Sequence, residues 1–174
     1  VREFTQDDAH IFCLPNQIES EVDSIIDFTR KIMEAFGFCY EMELSTRPEK
    51  SIGDEAIWQS ATTALKKALE KNQIQYQIDE GGGAFYGPKI DIKITDALKR
   101  KWQCGTIQID FNLPARFELE YTDENNQKQQ PVMIHRAILG SFERFIGILL
   151  EHTAGELPFW IAHTQVAIVP ISQN

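Results

Sequence analysis

Apolar residues recur along this chain with two different spacings, and the switches between them mark out its elements. The stretch "FTQDDAHIF", residues 4–12, alternates with a period of two, as an extended strand does. Gln6, Asp8, His10 and Phe12 then share one face, and Thr5, Asp7, Ala9 and Ile11 the other. From Pro15 to Gly37 the period lengthens. Val22, Ile25, Ile26, Ile32, Met33 and Phe36 follow helical spacing, and Gly37 supplies the stop. Phe38, Tyr40, Met42 and Leu44 alternate as a strand. Asp54 is placed to cap a second helix ending near Lys71, with Ile57, Trp58, Ala61, Leu65, Ala68 and Leu69 on its buried stripe. "IQYQIDEGGGAFYGPKIDIKI" predicts a strand, a glycine loop and a strand on which Ile90, Ile92 and Ile94 alternate. Strands are expected at 102–111, 115–122 and 131–139, the last two joined by the polar turn "TDENNQKQQ". Gly140 leads into a third helix, "SFERFIGILLEHTAG", and Val166 to Ile171 predicts one more strand, belonging to a following domain. Short connections between strands, with helices interspersed, predict an α+β fold: an antiparallel sheet flanked by helices.

Composition narrows the function classes. The 174 residues suffice for one domain with a real core, and 43% hydrophobic with 25% charged residues is ordinary for a globular protein. A net charge of −9 argues against a broad electrostatic clamp on nucleic acid, so any such contact must be local or supplied from elsewhere. Cys13, Cys39 and Cys104 are odd in number and lack CxxC spacing, which fits reduced thiols in a cytoplasmic protein. No apolar run approaches the ~20 residues that span a membrane. The chain opens in mid-strand without an initiator Met, and its natural N-terminus is expected upstream.

Four stretches could carry chemistry. The row Gln6, Asp8, His10 suits either an edge strand facing water or a rigid floor for a small polar ligand or metal. "CGTIQIDF" repeats the pattern, with Cys104, Thr106, Gln108 and Asp110 opposite Ile107, Ile109 and Phe111. His135, at the end of the apolar run in "PVMIHRAI", is either a structural histidine or a member of the same cavity. In "GSFER", Gly140 and Ser141 open a helix with Arg144 in its first turn, an arrangement suited to phosphate as well as to a plain surface helix. "EGGGAFYGPK" offers a loop, an aromatic and Lys89, but its spacing is not that of a Walker loop.

Taken in order, "VREFTQDDAHIF", "STRPEKSIGD", "GAFYGPKIDI", "WQCGTIQIDF" and "HRAILGSFERFIGILLEH" closely resemble the catalytic core of the threonyl-tRNA synthetases, class II aminoacyl-tRNA synthetases. The resemblance covers essentially the whole chain. It implies a class II catalytic domain over residues 1–157, from the end of motif 2 through motif 3, and over 158–174 a linker and the first strand of an anticodon-binding domain. It implies ATP-dependent activation of threonine and transfer to tRNA(Thr), with Zn2+ and with Mg2+ accompanying ATP, in a cytoplasmic homodimer. By the same resemblance Phe4 stacks on adenine and Arg2, Gly140 and Ser141 line the ATP site. Arg144 covers the other face of adenine and the γ-phosphate, acting with Lys89 in catalysis. Gln6, Asp8, Tyr86, Lys89, Thr106 and Gln108 would bind threonine, with Asp8 accepting from its hydroxyl. His10 and His135 would be zinc ligands; the family's third ligand, a Cys, lies upstream of the matched residues, as do motif 1 and the Arg that grips the α-phosphate. Cys13 falls on the opposite strand face from His10 and is not expected to ligate. Two readings from other classes stand beside this one: a mononuclear zinc hydrolase built on His10, His135 and Asp8, and a non-catalytic paralogue or excised domain that binds ATP-like ligands.

Overall fold

The computed structural model describes residues 1–172. Its centre is a six-stranded sheet in the order β1-β8-β5-β4-β2-β3. The strands are β1 (Ala9–Cys13), β2 (Cys39–Ser45), β3 (Tyr76–Asp79), β4 (Lys89–Thr95), β5 (Lys101–Asp110) and β8 (Val132–Ala137); β6 (Tyr121–Thr122) and β7 (Lys128–Gln129) form a separate small ladder. The helices are α1 (Ile18–Phe36), α2 (Glu55–Lys71), α3 (Asn112–Arg116) and α4 (Phe142–His152). The expected α+β architecture is present. All neighbouring strands of the main sheet run antiparallel except β2 and β3, which are parallel because α2 carries the chain across between them.

Period-two alternation gives the sheet two unlike faces. Ile90, Ile92, Ile94, Ile107, Ile109 and Ile134 lie on one, fully buried, in a cluster with Val22, Ile26 and Met33 of α1 and Leu65 and Leu69 of α2. Gly37 ends α1 in the left-handed region (φ 74°), as its sequence position predicts. α4 joins the same core through Phe145, whose ring meets Phe36 at 5.0 Å and Phe38 at 5.8 Å. Among the described residues no helix is long and apolar enough to cross a membrane.

Several boundaries depart from expectation. β1 starts at Ala9 rather than Phe4, since its partner β8 ends at Ala137, and upstream pairing is confined to one bridge, Gln6 with Ser141. Pro15–Gln17 is a separate 3-10 turn before α1. Asp54 occupies the position before α2, yet its side chain makes no capping bond. The predicted strand 115–122 is replaced by α3 and an irregular stretch, with only Tyr121–Thr122 extended. The Asp110 carboxylate accepts from the backbone N–H of Asn112 (2.7 Å) and Leu113 (3.0 Å), which turns the chain into a helical corner that Pro114 tolerates. Val166 to Ile171 forms no strand; among the described residues no segment is paired with it as a strand, and its large apolar side chains are exposed.

Candidate active site

Strand register assembles the site. His10 pairs with His135, His135 with Gln108, Gln108 with Lys89, and Lys89 with Ser45. Directly opposed residues on neighbouring strands point to the same side. These five therefore form one transverse row on the face away from the isoleucines. The next row on β4 and β5 pairs Asp91 with Thr106. Over β5 and β8 lies an open cleft of about 340 Å³, lined by Gln6, Asp8, Tyr86, Gln108, His135 and Arg144 together with Cys104, Thr106, Arg136, Ala137 and Gly140. Most of the residues singled out in sequence thus converge on one hollow.

Tyr86, Gln108 and His135 are held by partners along the floor. The Tyr86 hydroxyl donates to Gln108 Oε1 at 2.8 Å. Burial, with the nearby charges of Asp110 and Asp8, raises the Tyr86 pKa, so the phenol keeps its proton at neutral pH. Tyr86 reaches the floor because Gly87 packs against β5: a Cβ there would sit 1.9 Å from the Ile109 carbonyl oxygen. His135 Nε2 lies 2.9 Å from Asp110 Oδ2, and the His10 ring meets the His135 ring edge-on at 4.7 Å. Burial alone would raise the Asp110 carboxyl. The His135 ring and the Leu113 and Asn112 N–H groups outweigh it and hold the group below the usual carboxylate range.

Five predicted residues, Lys89, His10, Phe4, Arg2 and Ser141, lie outside the cleft lining. Lys89 does not line the cleft; its ammonium is bound to Asp91 Oδ2 at 2.6 Å. His10 stands at the rim, exposed, and is likewise outside the cleft lining. Phe4 and Arg2 are exposed at the start of the chain, Phe4 to 52%. At the opposite wall, Ser141 Oγ accepts the Arg144 N–H (3.2 Å) and starts α4. Gly140 has φ +70°, and a Cβ on it would come within 2.7 Å of the Cys104 carbonyl oxygen. The Arg144 guanidinium crosses to the carbonyl oxygen of Gln103 at 2.6 Å, beside the cleft. Burial pushes the Cys104 thiol up, which leaves it a poor nucleophile.

Three aspartates that the sequence reading left without roles prove central. Asp91 is 3% exposed and collects Lys89, Gln103 (2.7 Å), Ser45 (3.2 Å) and Thr106 (3.3 Å). Its signal was present in "KIDIKI", where a carboxylate shares the Lys89 face of an isoleucine strand. Asp110 orients His135. Asp7 binds the turn before α4, for which the sequence carries no cue. Among the described residues no group of three or more His, Cys, Asp or Glu is placed to hold a metal ion. His10 and His135 bring two imidazoles, side chains of the type that ligate zinc, together on adjacent strands with ring centroids 4.7 Å apart. Cys13 is no third: it pairs with Val132, three positions past His10 on the buried face.

Comparison with known proteins gives a consistent set of matches. Residues 1–153 match the family described as tRNA synthetase class II core domain (G, H, P, S and T). A threonine–tRNA ligase from Campylobacter lari is 75% identical over 174 residues, covering 100% of this chain and 29% of that protein. The Helicobacter pylori (strain J99) threonine–tRNA ligase is 72% identical over 174 residues, again 100% of this chain and 28% of the relative. Among solved structures, the RNA-binding domain of threonyl-tRNA synthetase from Cryptosporidium parvum Iowa II superposes with a TM-score of 0.88 at 55% identity, over 92% of this chain and 40% of the other. The chain thus spans under a third of the length of these curated relatives.

Proposed function

Because the chain belongs to the class II core-domain family of tRNA synthetases (G, H, P, S and T), we propose that it is the amino-acid-activating part of a threonine–tRNA ligase. The observation that carries this is the convergence of Gln6, Asp8, Tyr86, Gln108, His135 and Arg144 on one cleft, with His10 and Lys89 continuing the strand row at its two ends. One small polar ligand and one nucleotide can be held side by side there. The hydrolase and non-catalytic alternatives find no support among the named relatives.

In this reading the threonine carboxylate attacks the α-phosphorus of ATP and pyrophosphate leaves. No protein nucleophile is needed, so positioning and charge neutralisation dominate. Arg144 and Phe4 sandwich the adenine, with Arg2, Gly140 and Ser141 along the nucleotide and Mg2+ accompanying its phosphates. Gln6, Asp8, Tyr86, Thr106 and Gln108 surround threonine, Asp8 accepting from its hydroxyl. Lys89 exchanges part of its bond to Asp91 for the substrate carboxylate. His10 and His135 would hold zinc, Asp110 keeping the His135 ring oriented, with a third ligand from outside these residues. When bound, zinc supplies open coordination positions to an amine and a hydroxyl. A site built for a hydroxyl rejects valine far better than an apolar pocket could. Serine keeps the hydroxyl, so its removal falls to an editing site elsewhere. Residues 1–157 form the catalytic portion and 158–174 lead into an anticodon-binding domain. The whole protein acts on tRNA(Thr) as a homodimer in the cytoplasm.

The test is pyrophosphate exchange into ATP by the full-length protein. Exchange driven by threonine, weakly by serine and barely by valine is expected; exchange indifferent to the amino acid would overturn the reading.

A further inference from the structure

Asp7 stands between Gln6 and Asp8, but it turns to the other side of the chain. Its Oδ2 accepts from the Ile138 N–H at 2.8 Å, both oxygens accept from the Leu139 N–H at 3.1 and 3.2 Å, and Oδ1 accepts from the Gly140 N–H at 3.0 Å. Arg136 Nη1 donates to the Asp7 carbonyl oxygen at 2.7 Å and lies 3.5 Å from Oδ2. Three successive N–H groups converging on one point form a nest for an anion. Here the anion is the chain's own carboxylate, with a side chain 15% exposed.

The neighbouring residues lace the same two segments together. The Phe142 N–H donates to the Thr5 carbonyl at 2.8 Å, the Thr5 N–H donates to Glu143 Oε1 at 2.9 Å, and Gln6 bridges to Ser141. The turn so held contains Gly140, and the helix that follows it carries Arg144 in its first turn. The segment so held carries Gln6 and Asp8. One half-buried carboxylate therefore registers both walls of the cleft against each other.

We propose that Asp7 is a positioning residue, locking the 138–140 turn to residues 5–8 and thereby fixing Arg144 relative to Gln6 and Asp8. Its kinetic consequence rests on the ligase reading; the lock itself does not. Charge and shape can be separated, because Asn matches Asp in size yet offers one accepting oxygen and turns an NH2 group toward N–H donors.

The experiment uses the full-length protein with Asp7→Asn, Asp7→Glu, Arg144→Ala and the Asp7→Asn/Arg144→Ala pair. Pyrophosphate exchange and hydrogen exchange at the 138–140 amides are both measured. Asp7→Asn is expected to lower kcat/KM for ATP roughly tenfold to a hundredfold, the scale of a misplaced catalytic geometry. With Ala already at position 144, the same change should cost less than about threefold, since coupled residues are not additive. Amide exchange at 138–140 should accelerate while that of α1 and β4 stays as it was. Asp7→Glu, which keeps the charge on a longer arm, should fold and show an intermediate loss; if Asp7→Asn does not fold, this variant decides the kinetic question. Unchanged ATP kinetics in the folded variants, or losses that multiply in the pair, would overturn the proposal. A wild-type protein without threonine-dependent exchange would instead defeat the ligase reading, and the 138–140 amides would still judge the lock.

Discussion

The two faces of the central sheet use the same strands for opposite ends. On the helix side, Ile90, Ile92, Ile94, Ile107 and Ile109 are fully buried against α1 and α2. On the other side, Lys89, Asp91, Thr106, Gln108 and His135 form a polar floor in which each of these side chains has a named partner. The first face stabilises by area removed from water, about 25 cal/mol per Å², and is indifferent to which apolar shape supplies it, within limits of packing. The second contributes little net stability, because each internal hydrogen bond replaces one to water. What it offers is direction: donors and acceptors held before a ligand arrives. Fold and chemistry are thus separable by residue parity along one strand, and substitutions should sort accordingly.

The largest effect is expected from Ile92→Ala on the helix side. Removing a fully buried isoleucine side chain should cost about 2–5 kcal/mol. Denaturant melts would register this, while the ATP Michaelis constant of the remaining folded protein stays within error. A changed Michaelis constant would break the separation of the two faces.

Arg144→Ala tests the opposite pole. Loss of one preorganised charged donor should lower turnover with ATP by about 10²–10³-fold, with melting little affected and threonine affinity nearly intact. Unchanged kinetics for ATP would remove Arg144 from the site.

Asp8→Ala sharpens the comparison within the cleft. If Asp8 accepts from the threonine hydroxyl, discrimination against valine should fall by about 1–3 kcal/mol, the scale of a charged hydrogen bond. Equal losses toward both amino acids, measured by exchange rates, would mean that Asp8 orients other groups instead.

The smallest effect concerns a polar cluster outside the cleft lining, that of Asp96 with Arg100 and Trp102. Asp96 is 2% exposed; burial pushes its carboxyl up, but the Trp102 indole, the Arg100 N–H and the Arg100 guanidinium prevail and hold it at about 2. Unfolded, such a group titrates near ~3.9. Its charged form is favoured by folding, so its contribution is complete above the unfolded value and disappears as pH falls through the folded one. The stability difference between wild type and Asp96→Asn should be flat from neutral pH to about 5 and shrink between ~4 and ~2. A difference independent of pH would show that shape, rather than charge, is what Asp96 supplies.

Much of this was legible along the chain because it depends on near neighbours. The helical stripe of α1 ends at Gly37 where the pattern stops, and "KIDIKI" and "CGTIQIDF" sort their residues onto the faces they occupy, since side-chain parity is a local property of an extended backbone. The motif stretches also located the cleft residues, from Gln6 to Arg144. Other features needed partners distant in sequence. Residues 166–171 have the composition of a strand but find no pairing strand among the described residues, and residues 115–122 yield to a corner that Asp110 ties. Asp7 and Asp8 are the same residue type, one position apart. Parity assigns them to opposite sides, but only the approach of residues 138–140, more than a hundred positions away, makes Asp7 a lock. Local spacing determines where each side chain can point. Which groups meet it there is set by strand register and helix docking, because these are energies of contact between segments that the chain order leaves unrelated.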